Sequence, residues 1–257
     1  MDLEFILYEK RDHVATITID RPAVMNALHP PANEELDRVF DDFAADADCR
    51  VAILTGTGDR AFSTGNDLKW TVAHGMPRLP QTGFGGITSR FDLWKPVIAA
   101  VNGFALGGGL EMVLACDVAV AAEHARLGLP EPRVGLMAAA GGVHRLPRQI
   151  PLKVAMGMLL SGRQITAAEA ERHGLVNEVV AADALLPAAR RWAAAIAECS
   201  PLSVQATKQA ALQGRGRPLA EALSEVYPAV SRVFASEDAA EGPRAFAEKR
   251  PPVWKGR

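Results

Sequence analysis

The apolar positions of this chain change period as it proceeds. Phe5 to Tyr8 and Val14 to Ile19 read as paired strands, the second ended by Asp20-Arg21-Pro22, where proline removes an amide and fixes φ. After Pro30-Pro31 the spacing becomes i, i+3, i+4, i+7 at Leu36, Val39, Phe40 and Phe43, which predicts an amphipathic helix with an acidic outer face. Val51 to Thr55, Val97 to Val101 and Val118 to Ala122 are nearly continuous apolar runs, as expected of strands covered on both faces. Such runs alternating with helical spacings make an α/β pattern. From about Pro151 the pattern turns mainly helical to the end, with Thr166 and Glu169 spaced as a capping box and Gly174 as a helix stop. The tail after about residue 200 is either a small domain or a subunit-contact arm.

Composition narrows the classes. The chain has 257 residues, 49% of them hydrophobic, and a formal charge of −2. That describes a soluble globular protein with a sizeable core, without the basic block that nucleic-acid binding needs. Asp2, Leu3 and Glu4 open no secretory signal, and no apolar run is long enough to span a bilayer, so no membrane partner and a cytoplasmic location are expected. Cys49, Cys116 and Cys199 are odd in number and far apart, which predicts reduced thiols. The six histidines show no close ligand pairing, so no metal is expected.

The chemistry lies in two carboxylates twenty residues apart. Glu111 follows Leu106-Gly107-Gly108-Gly109-Leu110, where a strand-like stretch turns into a helix-like one, and Glu131 stands in Leu127-Gly128-Leu129-Pro130-Glu131-Pro132. Ionised carboxylates are rarely buried without a partner, because desolvation raises their pKa until they neutralise. Two facing one cavity would make a general acid/base pair, one protonated and one ionised. A second motif, Ala61 to Lys69, places Gly65 before Asn66, so the Asn66 N–H is free to point into a cleft. The Gly107-Gly108-Gly109 turn offers amides at a helix start, where negative charge is favoured. Two amides converging on one oxygen form an oxyanion hole. For a single glycine cluster, tight turns and close packing are the commoner explanation; the two glutamates alter that balance.

On these stretches the chain resembles the crotonase (enoyl-CoA hydratase/isomerase) superfamily over nearly its whole length. The matching segments are Asp20-Arg21-Pro22 with Asn26-Ala27-Leu28, Ala61 to Lys69, Lys95 to Gly103, Gly107 to Glu111, Pro130-Glu131, and Phe246 to Arg250. The resemblance implies a spiral of ββα units with a helical C-terminal region. Residues 1–199 would form the core with the active site, and 200–257 a helical oligomerisation region of a homotrimer or a homohexamer. It implies an acyl-CoA thioester substrate and no separate cofactor, coenzyme A being part of the substrate. The thioester oxygen would be held by the amides of Asn66 and Gly108. Glu111 and Glu131 would hold a water between them, Glu111 activating it for attack at C3 and Glu131 delivering the proton to C2, with the roles reversed in dehydration. CoA would run along Thr64, Asn66, Asp67, Leu68 and Lys69 with its adenine near Leu68, and Phe246 and Lys249 would complete a neighbouring subunit's site. Lys69 and Lys249 suit phosphate contacts, although a solvated surface lysine is nearly as common an explanation. Asp67 is read as an acceptor for loop amides rather than a third acid.

Two departures stand out. Ala138-Ala139 replaces a Pro-Gly pair common in hydratases, leaving Ala139 as the residue to offer its amide to the catalytic water. Asn66 stands where alanine is common and brings a polar side chain near the thioester. Substrate choice is assigned to residues 70–94, which contain Trp70, Phe84, Phe91 and Trp94. The run from Ser236 to Arg257 is similar to that of carnitinyl-CoA dehydratases (crotonobetainyl-CoA hydratases), whose quaternary ammonium would be met by an aromatic face or a carboxylate. A plain hydrophobic acyl pocket is the other reading of those aromatics. Because both glutamates are present, the expected activity is an enoyl-CoA hydratase or dehydratase, a hydro-lyase; carnitinyl-CoA dehydratase and enoyl-CoA isomerase are the alternatives. A non-catalytic binding protein on the same fold ranks last, since neither a basic surface nor lost acids mark this chain.

Overall fold

The computed structural model describes residues 1–257. Its first hairpin pairs β1 (Ile6–Arg11) with β2 (Val14–Ile19) antiparallel, Ile6 opposite Ile19. The sequence pattern ended the first strand at Tyr8. Pairing carries it to Arg11, because Glu9, Lys10 and Arg11 lie on an exposed stretch where ladder bonds need no apolar side chains. In α1 (Pro30–Ala45) the four residues Leu36, Val39, Phe40 and Phe43 are fully buried, as their spacing predicts. The acidic face is not wholly outward. Glu35 is buried, and its carboxylate accepts the N–H groups of Glu4 and Phe5 at 3.0 and 2.8 Å.

Three coils then build the site. The first is β3 (Val51–Gly56), β4 (Ala61–Ser63) and α2 (Leu68–His74); the second is β5 (Val97–Val101), β6 (Phe104–Leu106) and α3 (Gly108–Ala115). The third is β7 (Val118–Ala122) and β8 (Arg126–Gly128), followed by a 3-10 turn at Glu131–Val134, then α4 (Gly142–Gln149) and α5 (Leu152–Ser161). Next come β9 (Gln164–Thr166), α6 (Ala167–Arg172), β10 (Glu178–Val180) and α7 (Leu185–Ala197). The chain ends in α8 (Pro201–Gly214), α9 (Leu219–Ser224), α10 (Pro228–Phe234) and α11 (Glu237–Glu248). One strand of each coil enters a six-stranded sheet, β1-β2-β3-β5-β7-β10, parallel except at its first pair, and the other enters a four-stranded sheet, β4-β6-β8-β9. This is the spiral of ββα units that the family resemblance implied. The uniformly helical pattern read beyond Pro151 is corrected by β9 and β10, each of three residues and too short to show a period of two. The capping box at Thr166 and Glu169 forms as read, its two bonds 3.0 and 2.9 Å long.

The larger sheet is covered on both faces. Val51, Ile53, Ile98, Ala100, Val120 and Ala122 pack under α7, while their alternate neighbours Ala52, Leu54, Ala99, Val101 and Ala121 face the main core. The chain turns from one sheet to the other around Asn102. Its Nδ2 donates to the carbonyls of Gly56, Gly58 and Ala61 at 2.8, 2.7 and 3.1 Å, and its Oδ1 accepts Gly56 N–H at 3.2 Å. Asn26 joins the same corner through Ala61 O at 2.7 Å. The helical region beyond Pro201 is held by Lys208, which bonds Asp117 at 2.7 Å and the Lys95 carbonyl at 3.1 Å. Buried Asp238 ties the tail back through Ser200 Oγ and Lys255 N–H. No helix is long and apolar enough to cross a membrane.

Candidate active site

The turn after β4 carries the first half of the site. Gly65 has φ +85°, where L side chains are strained, and a Cβ there would lie 2.7 Å from Gly108 N and 2.9 Å from Leu106 O. The turns at 64–66 and 107–108 are therefore in direct backbone contact. Leu28 clamps the first of them, donating its N–H to Gly65 O at 2.8 Å and accepting Asp67 N–H at 3.0 Å. The Asn66 N–H between these bonds has no carbonyl acceptor. Gly108 opens α3, so its N–H has no acceptor in a preceding helical turn and carries the positive end of the helix dipole. The Phe84 ring lies on this turn, 2.5 Å from where a Gly108 Cβ would stand.

One turn along α3 is Glu111, only 3% exposed, whose Oε1 accepts the Gly142 N–H at 2.8 Å. Glu131 begins the 3-10 turn after β8. Its Oε1 lies 3.1 Å from where a Gly107 Cβ would be, and its Oε2 is buried with no partner. Burial pushes the Glu111 carboxyl up to about 7; the Gly142 N–H works against this, and the nearby Glu131 charge adds to it. Burial raises Glu131 as well. The two glutamates thus stand together in one desolvated space beside the free amides. Such a pair holds a proton near neutrality and can both give and take one.

A family model described as Enoyl-CoA hydratase/isomerase matches residues 9–257. The chain belongs to the enoyl-CoA hydratase/isomerase family. It is 42% identical to the (E)-benzylidenesuccinyl-CoA hydratase of Thauera aromatica, over 98% of this chain and 99% of that protein. It is also 42% identical to the carnitinyl-CoA dehydratase of Citrobacter koseri, over 99% of each. Among solved structures, an enoyl-CoA hydratase from Mycobacterium marinum superposes with a TM-score of 0.93 at 40% identity, covering 98% of this chain and 99% of that one. The enoyl-CoA hydratase of Bacillus anthracis gives 0.92 at 37% identity, covering 99% and 100%.

The other residues expected of this hydratase/isomerase family site fall in several places. Thr64 is fixed by two bonds to Met25 O, from its N–H at 3.2 Å and its hydroxyl at 3.3 Å. Asp67 caps α2, accepting Trp70 N–H at 3.1 Å and an Arg21 N–H at 3.2 Å, which is the structural role expected of it. Leu68 and Lys69 lie exposed on the first turn of α2. Phe246 is 87% exposed on α11, and Lys249 ends that helix in the left-handed region. Ala139 does not offer its amide to the site, because that N–H donates to Met137 O at 2.7 Å. The backbone amides that reach Glu111 are those of Gly142 and Ala140.

Two features were not foreseen. Gly142, the first residue of α4, contributes an amide, and the Gly141-Gly142 pair ahead of a helical spacing was the available signal. Arg145, one turn later, interacts electrostatically with Glu111 while its guanidinium bonds Thr88 O at 2.7 Å. The aromatics of 70–94 do not converge. Phe84 is at the site, Trp70 stacks on His74, and Phe91 and Trp94 line a separate cavity of about 670 Å³ bounded also by Cys116, Arg145 and Lys208. Neither glutamate lines that cavity. No cluster of three histidine, cysteine or acidic side chains is placed to hold a metal ion.

Proposed function

We propose that this chain adds water reversibly across the C2–C3 double bond of a 2-enoyl-CoA, with Glu111 and Glu131 as its acid/base pair. The observation that carries this reading is the co-location of buried Glu111 and half-buried Glu131, whose charge bears on Glu111, with two unengaged amides, those of Asn66 and Gly108. The amides would hold the thioester oxygen as negative charge develops on it, each such donor contributing about 2.7–4 kcal/mol to the transition state. In hydration, Glu111 takes a proton from water as its oxygen bonds to C3, and Glu131 gives its proton to C2. The turnover ends with the proton on Glu111, and the next hydration begins after a proton has returned to Glu131 through solvent or the bridging water. CoA is part of the substrate, and no separate cofactor enters the steps.

Loss of enoyl absorbance with crotonyl-CoA is the direct test. The wild type is expected to consume it, and Glu111→Gln and Glu131→Gln each to slow it by about 10² to 10⁴. Retained turnover in both variants would remove the pair from the mechanism, and double-bond migration without hydration would favour the isomerase reading.

A narrower reading takes a carnitinyl or crotonobetainyl thioester as the substrate, supported by the 42% identity to proteins of that name. Phe84 lies against the Gly108 turn, whereas Phe91 and Trp94 line a cavity that neither glutamate borders, which supports the general hydratase reading. Crotonobetainyl-CoA run beside crotonyl-CoA decides between them. The reading extends to a homotrimer or homohexamer, supported by exposed Leu219, Leu223, Phe234 and Phe246 on the helical region, and to a reducing cytoplasm, in keeping with three unpaired thiols.

A further inference from the structure

Asn66 has a polar end that the chemistry above does not use. Its Nδ2 donates to Thr71 Oγ1 at 2.8 Å, and the Thr71 hydroxyl in turn donates to Asp67 O at 3.1 Å. Because the threonine proton is committed to that carbonyl, Thr71 can only accept from Asn66. The amide orientation is thereby fixed, nitrogen on Thr71 and oxygen on the opposite side. That oxygen, Oδ1, is buried and meets no donor. Buried side-chain polar atoms in folded proteins are nearly always paired, so an unpaired acceptor held in one orientation beside a reaction centre calls for a donor from outside the chain. Glu131 Oε2 is unpaired in the same way, and the proposed reaction supplies it with water.

We propose that Asn66 Oδ1 accepts a hydrogen bond from an O–H or N–H group of the bound thioester, making Asn66 a specificity-determining residue. Its backbone amide would hold the thioester oxygen while its side chain selects the substrate. The proposal rests on the preceding reading only in taking an acyl-CoA as the ligand. The donor is either a polar group on the acyl chain or the pantetheine amide. The acyl chain is favoured by the position of Thr71, on the helix that leads into residues 75–94, whose Phe84 covers the Gly108 turn. A site built around an acceptor discriminates against ligands lacking the donor, because the acceptor is then left buried and unpaired.

The test is calorimetric binding of butyryl-CoA and 4-hydroxybutyryl-CoA to the wild type, Asn66→Ala and Asn66→Asp. Neither ligand has a double bond to hydrate, so the result stands whether or not the protein hydrates crotonyl-CoA. The expected result is a preference of about tenfold for the hydroxylated ligand in the wild type, absent in Asn66→Ala and retained in Asn66→Asp, which keeps an acceptor. If Asn66→Ala weakens both ligands equally and Asn66→Asp restores both, the acceptor reads the pantetheine amide. Unchanged affinities in Asn66→Ala, or a loss that Asn66→Asp does not restore, would overturn the proposal.

Discussion

At the scale of single residues, the site is arranged against the stability of the fold. Glu111 has an ordinary pKa of 4.5 when unfolded and about 7 when buried here. Between those values the native state binds the extra proton, so stability falls as pH rises from about 4.5 to about 7, and the deficit is then constant. It amounts to roughly 3 kcal/mol at neutral pH and above. Glu111→Gln removes the charge but keeps the shape. It is expected to raise the melting temperature at pH 8, to leave it unchanged at pH 4, and to be nearly inactive; an equal effect at both pH values would show that ionisation is not the cause. Catalysis has its own pH signature. Hydration and dehydration both draw on the singly protonated pair, so kcat/KM in the two directions should share one profile, falling above a limb near pH 7 set by Glu111. Profiles that differ in shape between the directions would break this account. The two glutamates were legible in the sequence because a carboxylate inside an apolar run has few structural uses. Gly142 and Arg145 were not, because their approach to Glu111 depends on a turn at Gly141 that brings together residues about thirty apart.

At the scale of elements, legibility followed length. The sixteen-residue α1 shows its buried stripe in the spacing, and the five- and six-residue strands of the larger sheet show continuous apolar runs. The smaller sheet is built of three-residue strands, which hold too few positions to display alternation, so β4, β6, β8 and β9 went unread. Yet β4 and β6 deliver the two free amides. What fixes their turns is the direct approach of backbones at Gly65, and Gly65→Ala, strained at φ +85° and driven into Gly108 N, is expected to lower kcat by about 10² to 10³ with the fold retained. Near wild-type turnover would mean that the amide pair does not bind the developing charge. The corner around Asn102 is of a different kind. Asn102→Ala leaves several buried backbone groups unpaired and should cost about 3 kcal/mol or more in denaturant titration, an effect on stability and not on pH dependence.

At the scale of the whole molecule, the core is closed on both faces of its larger sheet, whereas the helical region beyond Pro201 keeps large apolar side chains in solvent. Leu223 and Phe234 are 78% and 80% exposed. The double change Leu223→Glu with Phe234→Glu is expected to shift the mass seen by light scattering toward the single chain and to weaken CoA-ester binding, since on the proposed reading Phe246 and Lys249 complete a neighbouring subunit's site. An unaltered mass would place the subunit contacts elsewhere. Within the chain, the amide of Gly108 and the carboxylate of Glu111 ride on the same short helix, one turn apart, with Gly107 beside Glu131 at its start. On the proposed roles, the spacing between the amide that holds the thioester oxygen and the carboxylate that activates water is set by that helix. Under the proposed reading, new substrates are acquired by altering Asn66, α2 and the 75–94 connection while that helix is kept. Under that reading the chemistry is carried as a cassette, and descendants of such a chain are free to diverge in diet without relearning it.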